Sequence, residues 1–494
     1  MFVFWFRALR PAAPSRRACE RIGLVALMLG LAGCATFSKD GGFDTVSTTA
    51  SDRLGRHVAF ARNDAERADL RLEIDALLAN PLTADDAVQV AVLNNPDLQG
   101  VYAELGIAEV DLVRAGRLPN PRFSTTRTTS DSSFKYESAL TIPILALVTM
   151  PTTLKMERGR FEAVKLQVTD RILRLAAEVR EAWTDAVAAD EALRYRRQVA
   201  LAADAGAELA GRMVAAGNFS ALDRMREEVF SADAATQRIR AEASVATARE
   251  KLARLLGLEA GAAAFRLPER LPDLPPIAAS YEALEAFALA QRLDVQAAKL
   301  DAAATARSLG LVRATRFIDA LELGPATLLE KDEATRKGFT LSVEVPLFDW
   351  GDSKVRRAES IYLRSVSRVT ATALDARSQV RSAYARYNSA WQVAQHYRDT
   401  IVPLRRRISE ENVLRYNGML LSVFELLADA REQIAAASGY IESNRDYWLA
   451  EAGLRAALGG KLPAPSLAVS STPASTPAAP PAAPAAPHHQ HSKE

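Results

Sequence analysis

Side chains able to do chemistry near neutral pH are scarce in this chain. Its 494 residues hold five histidines, His57, His396, His488, His489 and His491, and two cysteines, Cys19 and Cys34. His396 stands alone in a helical stretch, with no serine or cysteine placed for an imidazole base to activate, so it reads as a packed or solvated residue. The run "HHQH" ending at His491 suits copper, nickel or zinc by its imidazoles, but it lies in a tail that cannot bury a core and reads as an adventitious cluster. No phosphate-cradling glycine loop is present. No acid, base and nucleophile set can be named. The expectation is therefore no enzyme, no cofactor and no metal, in a protein whose driving energy comes from elsewhere.

What the chain does hold is elements. With 49 % hydrophobic and 25 % charged residues it is long enough for two or more cores, and its net charge of +2 leaves no footprint for nucleic acid. Arg7, Arg10, Arg16, Arg17 and Arg21 precede an apolar run at 22–33, which is signal-peptide length and too short for a membrane span. The run ends in Leu-Ala-Gly-Cys at 31–34, which resembles a bacterial lipoprotein box. That resemblance implies a signal peptide at 1–33, an acylated Cys34 as first mature residue, and, with Ala35 following, sorting to the outer membrane. Loss of Cys19 with the signal leaves Cys34 as the one thiol, so a mature chain builds neither a disulfide framework nor a cysteine metal site. Several acyl chains would anchor it stably where one would not.

After the segment 34–80 the chain divides at the Pro-rich stretch "RLPERLPDLPPI", residues 266–277. The parts on either side, 81–265 and 278–460, match each other. "LVRAGRLP" at 112–119 corresponds to "LVRATRFI" at 311–318, and "ALTIPIL" at 139–145 to "SVEVPLF" at 342–348. Three further pairs follow in the same order at a spacing near 200 residues. Duplication is the expectation. Residues 461–494, rich in Pro and Ala, are expected to be a disordered tail.

Each repeat reads as helix, strand pair, long helix, glycine-containing break, long helix. Val168, Ile172, Leu175, Val179, Ala182, Ala186, Ala189 and Leu193 form a heptad seam, repeated from Val369 to Ala394. A helix over 153–212 would run roughly 90 Å. The breaks hold Gly217-Asn218 and Asn417-Gly418, which tolerate the left-handed conformation of a reversal, so each repeat ends in an antiparallel hairpin. Alternating stretches at 122–130, 135–145, 318–329 and 337–348 are strands, and their length fits the 9 to 11 residues, about, of an outer-membrane strand. Four cannot enclose water, but four from each of three chains make a 12-stranded barrel without edges. Phe339, Leu341, Val343 and Val345 would then face lipid, and the even-numbered residues the lumen. Pro143 and Pro346 fall near strand ends, where a missing donor is tolerated. The fold class expected is mainly α with a small β part: long antiparallel helical hairpins, plus four strands per chain given to a trimeric barrel.

The stretches "NNPDLQGVYAELGIAEVDLVRAGRLPNPRFS" (94–124), "RLDVQAAKLDAAATARSLGLVRA" (292–314), "VPLFDWGDSK" (345–354) and "RYNGMLLSVFELLADAR" (415–431) resemble, in this duplicated order, the TolC-like outer-membrane efflux channel family, lipoprotein branch. The resemblance implies a homotrimer in outer-membrane lipid whose helical hairpins form a periplasmic α-barrel, and which works as the passive duct of a tripartite system, with a periplasmic adaptor and an inner-membrane pump. It further implies that hairpin tips meet the adaptor, at Gly217, Asn218, Phe219, Ser220, Gly418, Met419, Leu420 and Ser422. Convergence of the inner hairpins would close the duct near those tips, where Arg405, Arg406, Arg407, Glu410 and Glu411 stand; these charges equally suit a solvated helix face. A periplasmic adaptor lipoprotein and a protein-secretion outer-membrane channel are the alternatives. Two hairpins and duplicated strand pairs count against the first. Trp183, Trp391 and Trp448 read as packing residues, and Trp350, after a strand end, as part of an interfacial belt.

Overall fold

Duplication is visible in the order of elements in the computed structural model. It describes residues 36–463 except Ser132, Ala260 and 345–347, so the signal segment 1–33, Cys34, Val345, Pro346, and the tail with His488, His489 and His491 lie outside the described residues. Two N-terminal helices, α1 (Phe43–Leu54) and α2 (Asp64–Leu78), precede the first repeat. That repeat runs α3 (Ala84–Asn94), α4 (Pro96–Ala115), β1 (Arg122–Thr129), β2 (Phe134–Pro143), α5 (Ile144–Ala215) and α6 (Ala221–Leu256). The second runs α7 (Leu284–Gln291), α8 (Leu293–Thr315), β3 (Leu321–Glu330), β4 (Arg336–Val343), α9 (Asp352–His396), α10 (Val402–Asn417) and α11 (Val423–Ala457).

The heptad seam makes the long helices. All its α5 positions are buried except the half-buried Ala189, and Ala376, Val380, Ala383, Tyr387 and Ala394 bury the matching face of α9. At 72 residues α5 is longer than the seam predicts, because Ile144 to Met150 continue the helix upward and through Pro151. The second long helix is not continuous. A π-turn at Tyr397–Ile401 separates α9 from α10, two residues before Pro403, which has no N–H to offer the carbonyl of Asp399. Leu201 holds the matching place in the first repeat, and there the helix runs straight on. The Tyr397 ring lies flat on Gly439 of α11, where a Cβ would stand 2.5 Å from it.

Short helices stack end to end beside the long ones. In the first repeat Asn95 caps α4 by accepting from Leu98 N at 3.0 Å and donates its amide to Leu255 O at 2.9 Å, closing the end of α6. Arg292 replaces Asn95 in the second repeat, donating to Ala457 O at 3.2 Å while Asp294 holds it at 2.6 Å. The Pro-rich linker is strapped across both cores by indoles: Trp448 donates to Pro272 O and Trp391 to Pro275 O, each at 3.1 Å. Trp183, buried, donates to Leu82 O at 2.7 Å.

The four strands form one antiparallel sheet in the order β1-β2-β3-β4. Its central pair joins the repeats, with Tyr136 opposite Leu329 and Ile142 opposite Leu323, and leaves β1 and β4 as open edges. Gly324 sits where the strands touch most closely; a Cβ there would lie 1.7 Å from Leu140 O. β3 starts three residues later than alternation suggests, and β4 is described only to Val343.

Candidate functional site

Register sorts the sheet into two chemically different faces. Phe123, Leu140, Ile142, Leu321, Leu323, Phe339, Leu341 and Val343 share one face, with Phe134, Tyr136 and Leu329 nearer the hairpin turns. The other face carries Arg122, Ser124, Thr126, Thr141, Glu322, Thr340 and Ser342. Glu322 there takes an ion pair from Arg122 at 3.0 Å and a hydrogen bond from Thr141 at 3.0 Å. Phe339, Leu341 and Val343 are all exposed, so among the described residues nothing covers this part of the apolar face. Arg127 lies over the Tyr136 ring at 5.3 Å, marking the turn end of that face with a cation and an aromatic. Val345 falls outside the described residues.

Below the sheet, α5, α8, α9 and α11 enclose an open trough of about 1310 Å³. Asp170, Glu181 and Asp185 of α5, Asp294 and Asp301 of α8, Asp375 of α9 and Asp446 of α11 line it, answered by Arg174, Arg292, Arg368 and Arg386. Burial pushes the Asp170 carboxyl up, against the pull of Arg174, and does the same to Glu181 and Asp185 against Lys251. The trough is a polar, acid-rich wall with no nucleophile and base in hydrogen-bond reach of each other. Among the described residues no group of His, Cys, Asp and Glu is placed to hold a metal ion. His57 and His396 are exposed.

The hairpin tips are two copies of one loop. Ser220 caps α6 by accepting from Asp223 N at 3.1 Å, and Ser422 caps α11 in a reciprocal capping box with Glu425. Gly217 supplies the left-handed residue of the first tip at φ 74. In the second tip that residue is Met419 at φ 60, whereas Gly418, with Asn417 before it, has φ −82. The caps fix this: three residues precede each serine, so Met419 takes the place of Gly217. Met419 is 94 % exposed and Leu420 also projects, whereas Asn218 is exposed and Phe219 half-buried. Met419→Gly should relieve the left-handed strain and stabilise the hairpin by about 1 kcal/mol, read from the denaturation midpoint.

Both tips stand side by side. Arg226 of α6 lies over Phe424 of α11 at 5.4 Å, and Arg431 of α11 pairs with Glu227 of α6 while covering Phe230 at 4.6 Å. Glu227 is 2 % exposed. Its repeat counterpart is Asp429, since each acid stands seven residues after its capping serine; Asp429 is 8 % exposed and its Oδ2 has no partner. These acids are not among the expected site residues, although the matched Ser-to-acid spacing was there to be read. The expected cluster is spread along α10: Arg405 pairs with Glu432 at 2.8 Å, Arg406 with Glu410 at 2.9 Å, and Glu411 with Arg415 at 3.0 Å. Arg406, Arg407, Glu410 and Glu411 are exposed, and α10 buries no residue at all.

Residues 87–258, from α3 through the cap of α6, match the outer membrane efflux protein family. The cobalt-zinc-cadmium resistance protein CzcC of Cupriavidus metallidurans is 28 % identical over 192 residues, covering 36 % of this chain and 43 % of the relative. The matched part thus spans less than half the length of that curated relative. A membrane protein of Pseudomonas aeruginosa superimposes with TM-score 0.65 at 19 % identity, over 76 % of this chain and 93 % of that one. The outer membrane protein VceC of Vibrio cholerae does so with TM-score 0.64 at 14 % identity, over 76 % and 96 %. At 14–19 % identity the structural likeness shows the fold, and it extends beyond the matched segment into the second repeat.

Proposed function

We propose that three copies of this chain close into one duct, the outer-membrane component of a tripartite efflux system. The observation that carries it is the sheet: apolar on one face, polar on the other, with β1 and β4 both unpaired. Open edges in lipid leave backbone donors and acceptors unsatisfied at several kcal/mol, roughly, per group, so β4 of one copy must pair with β1 of the next. The helices make the same demand. Leu222, Met225, Val229 and Ile239 expose an apolar stripe along α6, and Leu404 and Ile408 expose one on α10, at the two ends of the helical wall. Phe339, Leu341 and Val343 then face lipid, with Val345 following in the same alternation.

The duct is passive: its work is to conduct small molecules or ions, driven by an inner-membrane pump through a periplasmic adaptor. The acid-rich trough suits cations, in keeping with the metals in the name of CzcC. Gly217 to Ser220 and Gly418 to Ser422 are read as the adaptor contact, and Arg405, Arg406, Arg407, Glu410 and Glu411 as charges of the periplasmic aperture. Light scattering of the detergent-solubilised protein should give three protein masses per particle, and the same preparation should conduct in a planar bilayer. A conducting monomer would overturn the reading.

Acylation of Cys34 is supported by the anchoring of the residues that follow it. Ser38 donates its N–H and hydroxyl to Glu109 of α4 at 2.6 and 2.5 Å, and Phe37 lies under Arg117 at 5.3 Å, beside the root of β1. A lipid four residues earlier would enter the periplasmic leaflet. Cys34→Ser should abolish palmitate labelling while leaving the trimer intact; persistent labelling refutes the anchor.

A further inference from the structure

The sheet's root carries a depth-graded surface whose lowest layer the duct does not explain. Directly beneath the apolar face, Val148, Phe317, Phe348 and Trp350 are exposed, Phe348 fully and Trp350 to 61 %. One step lower basic residues predominate. Overall the chain balances 62 Lys and Arg against 60 Asp and Glu, yet residues 110–120, 150–160, 310–320 and 350–360 together hold ten basic residues against five acidic ones.

Part of this basic layer is duplicated with the fold. Arg114 and Arg117 of the first repeat recur as Arg313 and Arg316 of the second, and Lys155 matches Arg356 by the spacing of the seam, while Arg158, Lys354 and Arg357 add to the layer without a basic counterpart. Antiparallel packing holds them at one level: Arg313 reaches Glu359 at 2.6 Å and Arg316 reaches Asp352 at 3.9 Å. In the first repeat Gly41 meets Glu109 and Gly42 meets Phe161, which sets the last turns of α4 beside the same stretch of α5. Helix electrostatics accounts for only part of this. Arg114 and Arg313 suit helix C-termini, but Lys354, Arg356 and Arg357 sit in the first turns of α9, where the helix dipole disfavours cations. Arg114, Arg117, Lys155, Arg158, Arg313, Lys354, Arg356 and Arg357 are exposed, and Arg316 is half-buried against the Phe317 ring at 4.2 Å.

We propose that this collar binds the headgroups of anionic phospholipids in the periplasmic leaflet of the outer membrane. The inference rests on the outer-membrane placement and adds the lipid that the chain selects there. Apolar face, aromatic belt and basic collar follow one another in the order of acyl chain, interface and phosphate, and threefold repetition makes the collar a ring. Guanidinium groups match phosphate oxygens in geometry as well as charge.

The test uses the full chain reconstituted into vesicles of phosphatidylcholine mixed equally with phosphatidylglycerol, with lipid retained after extraction counted by mass spectrometry. Phosphatidylglycerol should be kept over phosphatidylcholine by on the order of tenfold at low salt, falling toward parity at high salt. Arg158→Gln combined with Arg357→Gln leaves the half-buried Arg316 untouched and should cut the ratio severalfold while size-exclusion still shows the wild-type particle. Arg194→Gln with Arg196→Gln, at mid-height on α5, should not. A wild-type ratio near one, or equal losses in the two variants, overturns the proposal alone. Failure to insert into any vesicle removes the outer-membrane reading and this proposal with it.

Discussion

Leu341→Arg is expected to strip most of the assembled protein from the outer membrane, whereas Ser342→Arg next to it is expected to leave assembly within a few-fold of wild type. Leu341 stands opposite Leu323, between Phe339 and Val343, on a part of the face that nothing among the described residues covers. An arginine near mid-bilayer on a lipid-facing strand costs about 2–4 kcal/mol, which is roughly thirtyfold to several-hundredfold in the insertion equilibrium. Ser342 stands opposite Glu322 on the polar face, so an added guanidinium there meets a carboxylate and water. Quantifying heat-resistant trimer in outer-membrane fractions checks both. Equal losses would mean the faces are assigned wrongly, and with them the barrel.

Arg431→Leu should produce the largest effect in the helical half. It removes the partner of Glu227, which is 2 % exposed, and leaves a carboxylate buried between α6 and α11. Breaking one side of a buried pair costs about 3–5 kcal/mol, because the remaining charge keeps its desolvation penalty. Glu227→Leu together with Arg431→Leu should recover most of that loss, since apolar replacement of a buried pair is often close to neutral. Chemical denaturation of the solubilised protein measures both. As α6 and α11 belong to different repeats, the single variant should also loosen the tips against each other, seen as faster proteolysis near residues 217–222. A double variant as unstable as the single one would show that the pair is not the source of the stability.

Long helices, strands and duplication were legible because each rests on a local, repeating cost. Heptad spacing buries one helical face whatever lies beyond it, and alternation buries or exposes one strand face whatever strand comes next. Hence the seam from Val168 to Leu193 and the alternation from Phe339 to Val343 could be read residue by residue. The tip chemistry was half legible. Two glycines marked the reversals, but the left-handed residue of the second tip is Met419, because the capping serine and not the glycine sets the count. The π-turn at Tyr397–Ile401 was not anticipated, although Pro403, with no N–H to give a helix, was there to be read; nor did the pattern give that α10 would bury nothing.

By itself the sequence determined that one chain carries two copies of a hairpin and two strand pairs, with too few strands to surround water. Tertiary structure alone decided that the two strand pairs join through β2 and β3 into one sheet with a single apolar face, and that Glu227 and Arg431 meet across the repeats. The reason is range. Periodicity is fixed by neighbours a turn or two away, whereas the pairing of Tyr136 with Leu329 or Glu227 with Arg431 spans about two hundred residues of chain and depends on how the long helices lie against one another.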